Sequence, residues 1–305
     1  LARPEWLVPE CWDRYDDLLR QPVRQQPSDL VPPDLVPSPL LRAPTAAEAA
    51  PDSDLAPDDE PVRMVRLLGP LELDGLSVTA PRAGDLLAFL AVHRGPSPLT
   101  RIAGGLAWSP DDTAACLSAA QAALGHDDAG DPLLVSTGDH HHLSAAIASD
   151  IERLHALAEG LGHLPPAAQA QRLQAALALV RGVPFRDTGG WAHAEGMAAA
   201  TTALVSDLAH RMATIAMTFG DLDRARWAIA QGLLASPGCE LLVRDRMRVA
   251  DARGDRDALD AAMHDARRAA EAEQGWITPE TVQLYERLTR TAHISAAPGD
   301  ARHAS

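Results

Sequence analysis

The sequence contains no lysine: its 27 basic residues are all arginine, and they stand against 42 acidic residues in a chain of 305. The resulting net charge of −15 disfavours non-specific binding to nucleic acid or to an anionic membrane, unless positive charge is concentrated locally. A phosphate-binding loop of the GxxxxGK[ST] type is excluded too, because it requires lysine. The charge therefore argues against several common classes of partner and ligand.

Cysteines are few, and long apolar runs are missing. Cys11, Cys116 and Cys239 lie far apart and form no CxxC pair, which excludes a recognisable zinc finger and favours a reducing, cytoplasmic compartment. The longest apolar run, 86–92, is far shorter than the roughly 20 residues that span a bilayer. Because the sequence starts with Leu1 rather than Met, we expect a piece of a longer chain, in which upstream segments tether the protein to a membrane or leave it free.

Aromatic residues make up only 4% of the chain, and alanine supplies much of its 46% apolar content. Alanine favours helix and fills sheet cores poorly, so the composition predicts a mainly helical protein. Residues 1–61 hold 12 of the 24 prolines and a net charge of −8, which predicts a disordered acidic linker. The remaining predicted parts are a small α/β domain over 62–149, an all-helical domain over 150–292 and a disordered tail over 293–305.

Strand and helix signals alternate between residues 62 and 149. We predict a strand over 62–68, a tight hairpin over 71–78 and a closing hairpin around Gly138-Asp139. Between them, helices are predicted over 82–94, over 99–108 and from Ser109-Pro110 to Gly125, where capping residues favour a helix start and end. The predicted order is strands, three helices and a hairpin.

Beyond residue 150 the sequence shows only helical periodicity. The pair Gly220-Asp221 recurs as Gly254-Asp255, a spacing of 34 residues, which is the tetratricopeptide period. The sequence therefore predicts tetratricopeptide-like helices stacked into a short solenoid, an architecture that offers binding surfaces to other proteins.

Motifs for catalysis or cofactor binding are weak. His140 and His142 would share one face of a strand, but two imidazoles are half of a zinc site, so solvated histidines are the favoured interpretation. Gly104-Gly105 fits a close packing point better than a phosphate loop. No GxSxG elbow accompanies the serines and histidines. We therefore expect no enzymatic activity, no cofactor, no metal and no small-molecule substrate.

The order of elements resembles that of actinobacterial regulators in which a winged helix precedes a bacterial transcriptional activator domain. The segments that carry this resemblance are 65–73, 81–91, 106–108, 175–182 and Pro184-Phe185. Through 232–240 and 278–285, residues 220–285 resemble the C-terminal cytosolic part of membrane proteins that carry LysM-type segments. The similarity covers about residues 62–290, and it implies a transcriptional regulator whose third winged-helix helix enters the major groove.

That third helix departs from the DNA-binding members, in which it carries several arginines or lysines. From Asp111 to Leu124 it has no basic residue and begins with two acids, and 62–149 holds 5 arginines against 9 acids. A tight binder makes about 6–10 phosphate contacts, each normally made by a cation. The charge therefore predicts weak or lost DNA binding. The candidate DNA-facing residues are Arg82, Arg94, Arg101, Thr113, Ser118 and Gln121.

Two functions remain open at this point. The first is a non-enzymatic regulatory protein whose helical repeat binds a protein partner or a second copy of itself, with a degenerate winged helix. The alternative is an active DNA-binding transcriptional regulator that uses the winged helix. Trp191 either rims a pocket or, in the favoured interpretation, anchors its loop onto the helical core. The candidate partner-facing residues are Trp191, Trp227, Arg244 and Arg248.

Overall fold

The computed structural model of the protein describes residues 63–78, 82–272 and 274–295; the predicted linker and most of the predicted tail lie outside these ranges. The strands are β1 (Met64–Arg66), β2 (Glu72–Asp74), β3 (Ser97–Pro98), β4 (Leu134–Thr137), β5 (His140–Leu143) and β6 (Ala148–Ser149). The first helices are α1 (Ala83–Val92), α2 (Leu99–Leu106), α3 (Pro110–Leu124), α4 (Asp150–Ala158), α5 (Pro166–Ala178) and α6 (Trp191–Ala194). The remaining helices are α7 (Met197–Thr218), α8 (Leu222–Ala235), α9 (Glu240–Ala252), α10 (Arg256–Ala272) and α11 (Pro279–Ser295). The predicted fold class is confirmed: a small α/β region precedes an all-helical region.

Two three-stranded sheets accompany the first three helices. In one sheet β1 pairs antiparallel with β2 and parallel with β6; in the other, β5 lies between β3 and β4 and is antiparallel to both. The predicted closing hairpin is confirmed as β4–β5, but the predicted hairpin over 71–78 is wrong. Leu73 pairs with Val65 of β1, and 76–78 form no strand. Because β2 pairs with β1, it lies beside the fully buried Val65. The predicted hairpin over 71–78 would not have placed it there.

The three predicted helices of this region are confirmed as α1, α2 and α3. Capping explains the bounds of α3: the Ser109 hydroxyl accepts the backbone N–H of Asp112 at 3.1 Å, and Pro110 occupies the first turn. The helix ends at Gly125, whose φ of +67° suits glycine, because a side chain is strained there. Local sequence therefore determines where α3 begins and ends.

The 34-residue repeat marks the same helix-to-helix turn twice. Gly220 and Gly254 have φ values of +75° and +67°, and each ends a helix. The aspartate that follows caps the next helix: Asp221 accepts the backbone N–H of Arg224 at 3.0 Å, and the Asp255 carboxylate makes the same bond three residues on. The repeated sequence thus encodes a repeated connection, α7 to α8 and α9 to α10.

One cluster of buried side chains runs from β1 through the α/β region into the helical region as far as α9, and a smaller cluster joins α9, α10 and α11. Between α1 and α2 the packing is close at Gly105, where a Cβ atom would lie 2.4 Å from Cε2 of Phe89. A Cβ at Gly104 would meet nothing within 4 Å. The predicted close packing point is therefore Gly105 alone.

The α/β and helical regions meet without a spacer, because β6 leads directly into α4. Asp150, fully buried at this junction, accepts the backbone N–H groups of Leu67 at 2.7 Å and Leu68 at 2.9 Å. Burial raises the pKa of Asp150, although these two hydrogen bonds and the charge of Arg181 oppose the rise. At the domain boundary predicted near residue 150, the two regions are therefore in direct contact.

Candidate functional site

The exposed face of α3 is the surface that a winged helix would present to DNA. Its buried positions are Thr113, Cys116, Leu117 and Ala120. Its exposed positions from 111 onward are Asp111, Asp112, Ala114, Ala115, Ser118, Ala119, Gln121, Ala122 and Ala123. This face carries two acids, five alanines and no cation, so it offers phosphate no favourable charge.

Four of the five arginines of the α/β region lie within 4 Å of a carboxylate. The pairs are Arg63 with Asp128, Arg66 with Asp74, Arg82 with Asp112 and Arg94 with Glu152. The exposed Arg101 of α2 has no carboxylate partner among the described residues. A carboxylate beside an arginine offsets part of its positive charge, so these pairs lower the attraction for DNA.

Three of the candidate DNA-facing side chains are engaged within the protein. Arg82 lies over the Trp108 indole at 5.3 Å and 3.3 Å from Asp112, while Arg94 donates to the carbonyl of Ile147 at 2.7 Å. The prediction for Thr113 is wrong: this residue is fully buried, and its hydroxyl donates to the backbone carbonyl of Ser109 at 2.8 Å, which satisfies it within its own helix.

Ser118 and Gln121 are exposed on α3, as a DNA-facing role requires. The hydroxyl of Ser118, however, donates to the carbonyl of Ala114 one turn earlier at 2.9 Å. Of the six candidates, Arg101, Ser118 and Gln121 are therefore the ones that lie at the surface without an ion pair among the described residues.

The three histidines lie on β5 of the closing hairpin. His140 is exposed, and Nδ1 of His141 lies 2.8 Å from the hydroxyl oxygen of Ser136 on β4. Burial lowers the pKa of His141, Asp139 opposes the change, and His140 adds to it. Within the described ranges, no three His, Cys, Asp or Glu side chains come together as a metal site would require.

Trp191 anchors its loop and does not face a partner. It is 3% exposed, and its ring meets those of Phe89 at 5.2 Å and Phe185 at 5.9 Å, both edge-on. His93 lies beside it, with Nε2 2.9 Å from the Glu195 carboxylate. The interpretation that Trp191 anchors its loop onto the helical core is therefore confirmed, and the prediction that Trp191 faces a partner is wrong.

The other partner-facing candidates lie in the helical region. Trp227 is half-buried against the main core. Arg244 is half-buried and donates to the Thr281 hydroxyl of α11 at 3.0 Å. Arg248 is exposed, but its guanidinium donates to Asp245 at 2.6 Å; Asp245 is fully buried and also pairs with His210 of α7. Arg244 therefore connects α9 to α11, and Arg248 forms an ion pair within α9.

Glu240, at the start of α9, holds the start of α11. Its carboxylate accepts the backbone N–H of Thr278 at 2.9 Å and the hydroxyl groups of Thr278 and Thr281. Burial opposes ionisation, but these hydrogen bonds and the charge of Arg244 outweigh it, so the pKa of Glu240 is lowered. The loop between α10 and α11 is thereby fixed at its second end.

A groove that sequence reasoning missed lies between the C-terminal end of α8 and helices α9 and α10. Its volume is about 500 Å³, and it is lined by Leu233, Pro237, Arg246, Asp265, Arg268 and Ala269. Arg246 and Arg268 share one carboxylate, that of Asp265, at 2.8 Å and 3.8 Å. We call it the α8–α10 groove. Its residues come from three successive helices and form a groove only where those helices pack together, so no local signal marks it.

A tryptophan that sequence reasoning also missed projects from the loop between α10 and α11. Trp276 is 93% exposed, by far the most exposed large apolar side chain among the described residues. Its position between Gly275 and Pro279, outside the helical periodicity, is a signal that sequence inspection could have used.

Comparison with known proteins bears on the fold. No protein-family profile matches the sequence, and no curated protein matches it by sequence. A solved structure, Mycobacterium tuberculosis EmbR in complex with a low-affinity phosphopeptide, is similar with a TM-score of 0.55 and 21% identity. The similarity covers 75% of this chain and 65% of EmbR, less than two thirds of that protein.

At 21% identity the likeness concerns the arrangement of elements, which agrees with the order predicted from the sequence. In the part of the chain that the structure describes, no helix has the length and apolar character needed to cross a bilayer.

Proposed function

We propose that the protein is a non-enzymatic regulatory protein whose helical region binds protein partners, while its winged-helix-like region binds DNA weakly or not at all. The similarity of its fold to that of EmbR supports a role in transcriptional regulation. The few, widely spaced cysteines of the sequence support a cytoplasmic location.

One observation supports this proposal: the exposed face of α3 has no cation, and four of the five arginines of the α/β region already face carboxylates. DNA binding depends on replacing counterions with arginine or lysine side chains. A surface whose arginines are neutralised within the protein releases few counterions. The α/β region then serves as a structural platform for the helical region, with which it shares a core.

The DNA-binding half is tested by fluorescence anisotropy with a mixed-sequence 40-base-pair duplex and with the DNA directly upstream of the protein's own gene. At 50 mM salt we expect dissociation constants weaker than about 10⁻⁵ M for both, within the range of non-specific binding. Binding of either duplex tighter than about 10⁻⁷ M, with a steep loss between 50 and 200 mM salt, would contradict the proposal.

The protein-binding half is tested by photo-crosslinking in cells, since a chain without lysine offers amine crosslinkers no side-chain amine. A benzoylphenylalanine replaces Leu234, which is 47% exposed on α8, or Ala119 on the exposed face of α3 as the matched position. We expect protein adducts at Leu234 and no DNA adduct at Ala119. DNA adducts at Ala119 with no protein adduct at Leu234 would support the alternative instead.

The alternative function is an active DNA-binding regulator, and the exposed Arg101 is the observation that favours it. Arg101 is free of carboxylate partners among the described residues and lies at the start of α2. If it contacts phosphate, Arg101→Ala weakens binding to all sequences and reduces the salt slope by about one unit. An unchanged slope removes that support.

A further inference from the structure

We propose that the protein self-associates through its helical region, with Trp276 of each copy inserted into the α8–α10 groove of a second copy. This inference rests on the proposed protein-binding role of the helical region and names the partner surface. The same contact would explain both the exposed position of Trp276 and the presence of the α8–α10 groove.

The loop that carries Trp276 is ordered on both sides of it. Before it, the backbone N–H of Gly275 donates to the carbonyl of Ala270 at 2.8 Å; after it, Ile277 packs on the smaller core cluster, and Thr278 is bound by Glu240. A loop whose backbone is already held on both sides loses little further freedom on binding. Tryptophan is also the residue type most enriched among those that dominate binding energy. The loop thus presents a preorganised anchor.

The α8–α10 groove has the chemistry to receive an indole. Leu233, Pro237 and Ala269 provide apolar walls, and Arg268, whose side chain is 70% exposed, provides a guanidinium that can stack on an aromatic face. Trp276 does not fill the groove of its own chain, because it is almost fully exposed.

The placement of the two features favours a second copy of this chain as the occupant. The hydrogen bond between Gly275 and Ala270 brings their sequence neighbours, Trp276 and the groove residue Ala269, to one end of α10. When an anchor and its receptor lie side by side, a two-fold axis between two copies engages both pairs at once. A single self-complementary interface results.

The charges around the two features are also complementary. Exposed Glu271 and Glu280 flank the loop of Trp276, whereas Arg246 and Arg268 share a single aspartate at the groove. The approach that inserts Trp276 therefore brings acidic and basic side chains together. Two buried indoles and the groove walls that cover them make a contact of roughly 600–1,000 Å², below the roughly 1,200 Å² at which stable specific interfaces begin. We expect a weak, reversible dimer.

Sedimentation equilibrium of the full 305-residue chain between about 1 and 300 μM tests this proposal. We expect a dimer with a micromolar dissociation constant, weakened about 30-fold or more by Trp276→Ala and, independently, by Ala269→Arg, which blocks the groove. An equal mixture of the two variants restores part of the association, because one intact anchor meets one intact groove. Phe219→Ala, which removes an exposed aromatic before the opposite end of α8, leaves the dimer unchanged.

A second measurement follows Trp276 directly and does not depend on variants that alter folding. In 5-fluorotryptophan-labelled protein, the ¹⁹F resonance of Trp276 is identified by its absence in Trp276→Phe. We expect it to shift with protein concentration, while the resonance of the buried Trp191 stays in place. A chain that stays monomeric at 300 μM, a dimer that persists in Trp276→Ala, or a Trp276 signal that moves only when a different purified protein is added would each overturn the proposal. None of these outcomes depends on DNA, so a failure here is distinct from a failure of the proposed function.

Discussion

Arg181, in the loop after α5, forms an ion pair with Glu72 of β2, with Nη1 2.6 Å from Oε1, and so joins the helical region to the α/β region. The same guanidinium donates to the carbonyl of Pro70 at 3.0 Å and lies 3.9 Å from the buried carboxylate of Asp150. One side chain therefore ties together a strand, a turn and a helix start. The stability of the junction should depend on it.

We expect Arg181→Ala to lower the free energy of unfolding by about 2–4 kcal/mol at pH 7, because it removes the cation that lies 3.9 Å from the buried carboxylate of Asp150 and pairs with Glu72. The loss should shrink as the pH falls. The pKa of Asp150 is already raised in the folded protein, removal of a cation raises it further, and a protonated Asp150 needs no cation. Urea unfolding between pH 7 and pH 4 measures both effects.

The control for this experiment is Arg186→Ala, which removes an exposed arginine from the same loop. A loss of stability of similar size in both variants would mean that the junction contacts of Arg181 contribute nothing specific. A loss that does not change with pH would mean that Asp150 does not titrate in response to Arg181.

Glu240→Gln tests the contact that holds α11. An amide is a weaker acceptor than a carboxylate for the two hydroxyl groups and the N–H of Thr278, so we expect a loss of about 2 kcal/mol at pH 7. Because the folded pKa of Glu240 is lowered, its contribution is present above the ordinary glutamate pKa of 4.5 and disappears as the pH falls through the folded value. The difference in unfolding free energy between the two proteins should therefore shrink as the pH falls below 4.5. Glu271→Gln, at an exposed position of α10, should not change the stability, and a difference that stays constant as the pH falls would contradict the assignment.

The adjacent glycines of α2 should respond to alanine in opposite directions. Gly105→Ala places a methyl group 2.4 Å from an atom of the fully buried Phe89 ring, so we expect a loss of about 1–3 kcal/mol from overpacking. Gly104→Ala meets open space on an exposed helix position and should add up to about 1 kcal/mol through helix propensity. Thermal unfolding of the two variants measures both effects. Equal shifts of the melting temperature would mean that α1 and α2 do not pack as described.

Restoring cations to α3 tests whether charge alone has weakened its DNA binding. Ser118→Arg with Ala122→Arg places two arginines on the exposed face; we expect binding to the 40-base-pair duplex at 50 mM salt to increase at least tenfold. The slope of log K against log salt should steepen by about two units. The matched control adds the same charge at the exposed positions 261 and 264 of α10, as Ala261→Arg with His264→Arg. An equal gain in the control would show that net charge, rather than the α3 surface, sets the affinity.

Elements that depend on neighbouring residues could be predicted from the sequence. Ser109 and Gly125 mark the ends of α3, and the Gly-Asp pairs mark two equivalent turns, because capping and positive φ angles act within one helical turn. Strand pairing depends on residues farther apart. The strand partner of β2 was predicted wrongly, because β2 pairs with β1, where Val65 is buried, rather than with the residues that follow it in sequence. Thr113, which looks polar and available, is buried, and its hydroxyl is satisfied by the backbone of its own helix.

The sequence by itself determined the helical character, the order of the elements and the lack of any cation on α3, since these follow from residue identity and local periodicity. Only the tertiary structure decided which arginines are paired, where Trp191 lies and what stands beside Trp276. Arg246 and Asp265, for example, are 19 residues apart and meet because α9 and α10 pack side by side. Ion pairs and grooves arise where separate helices meet, and those meetings are determined by burial of the whole core rather than by any one segment.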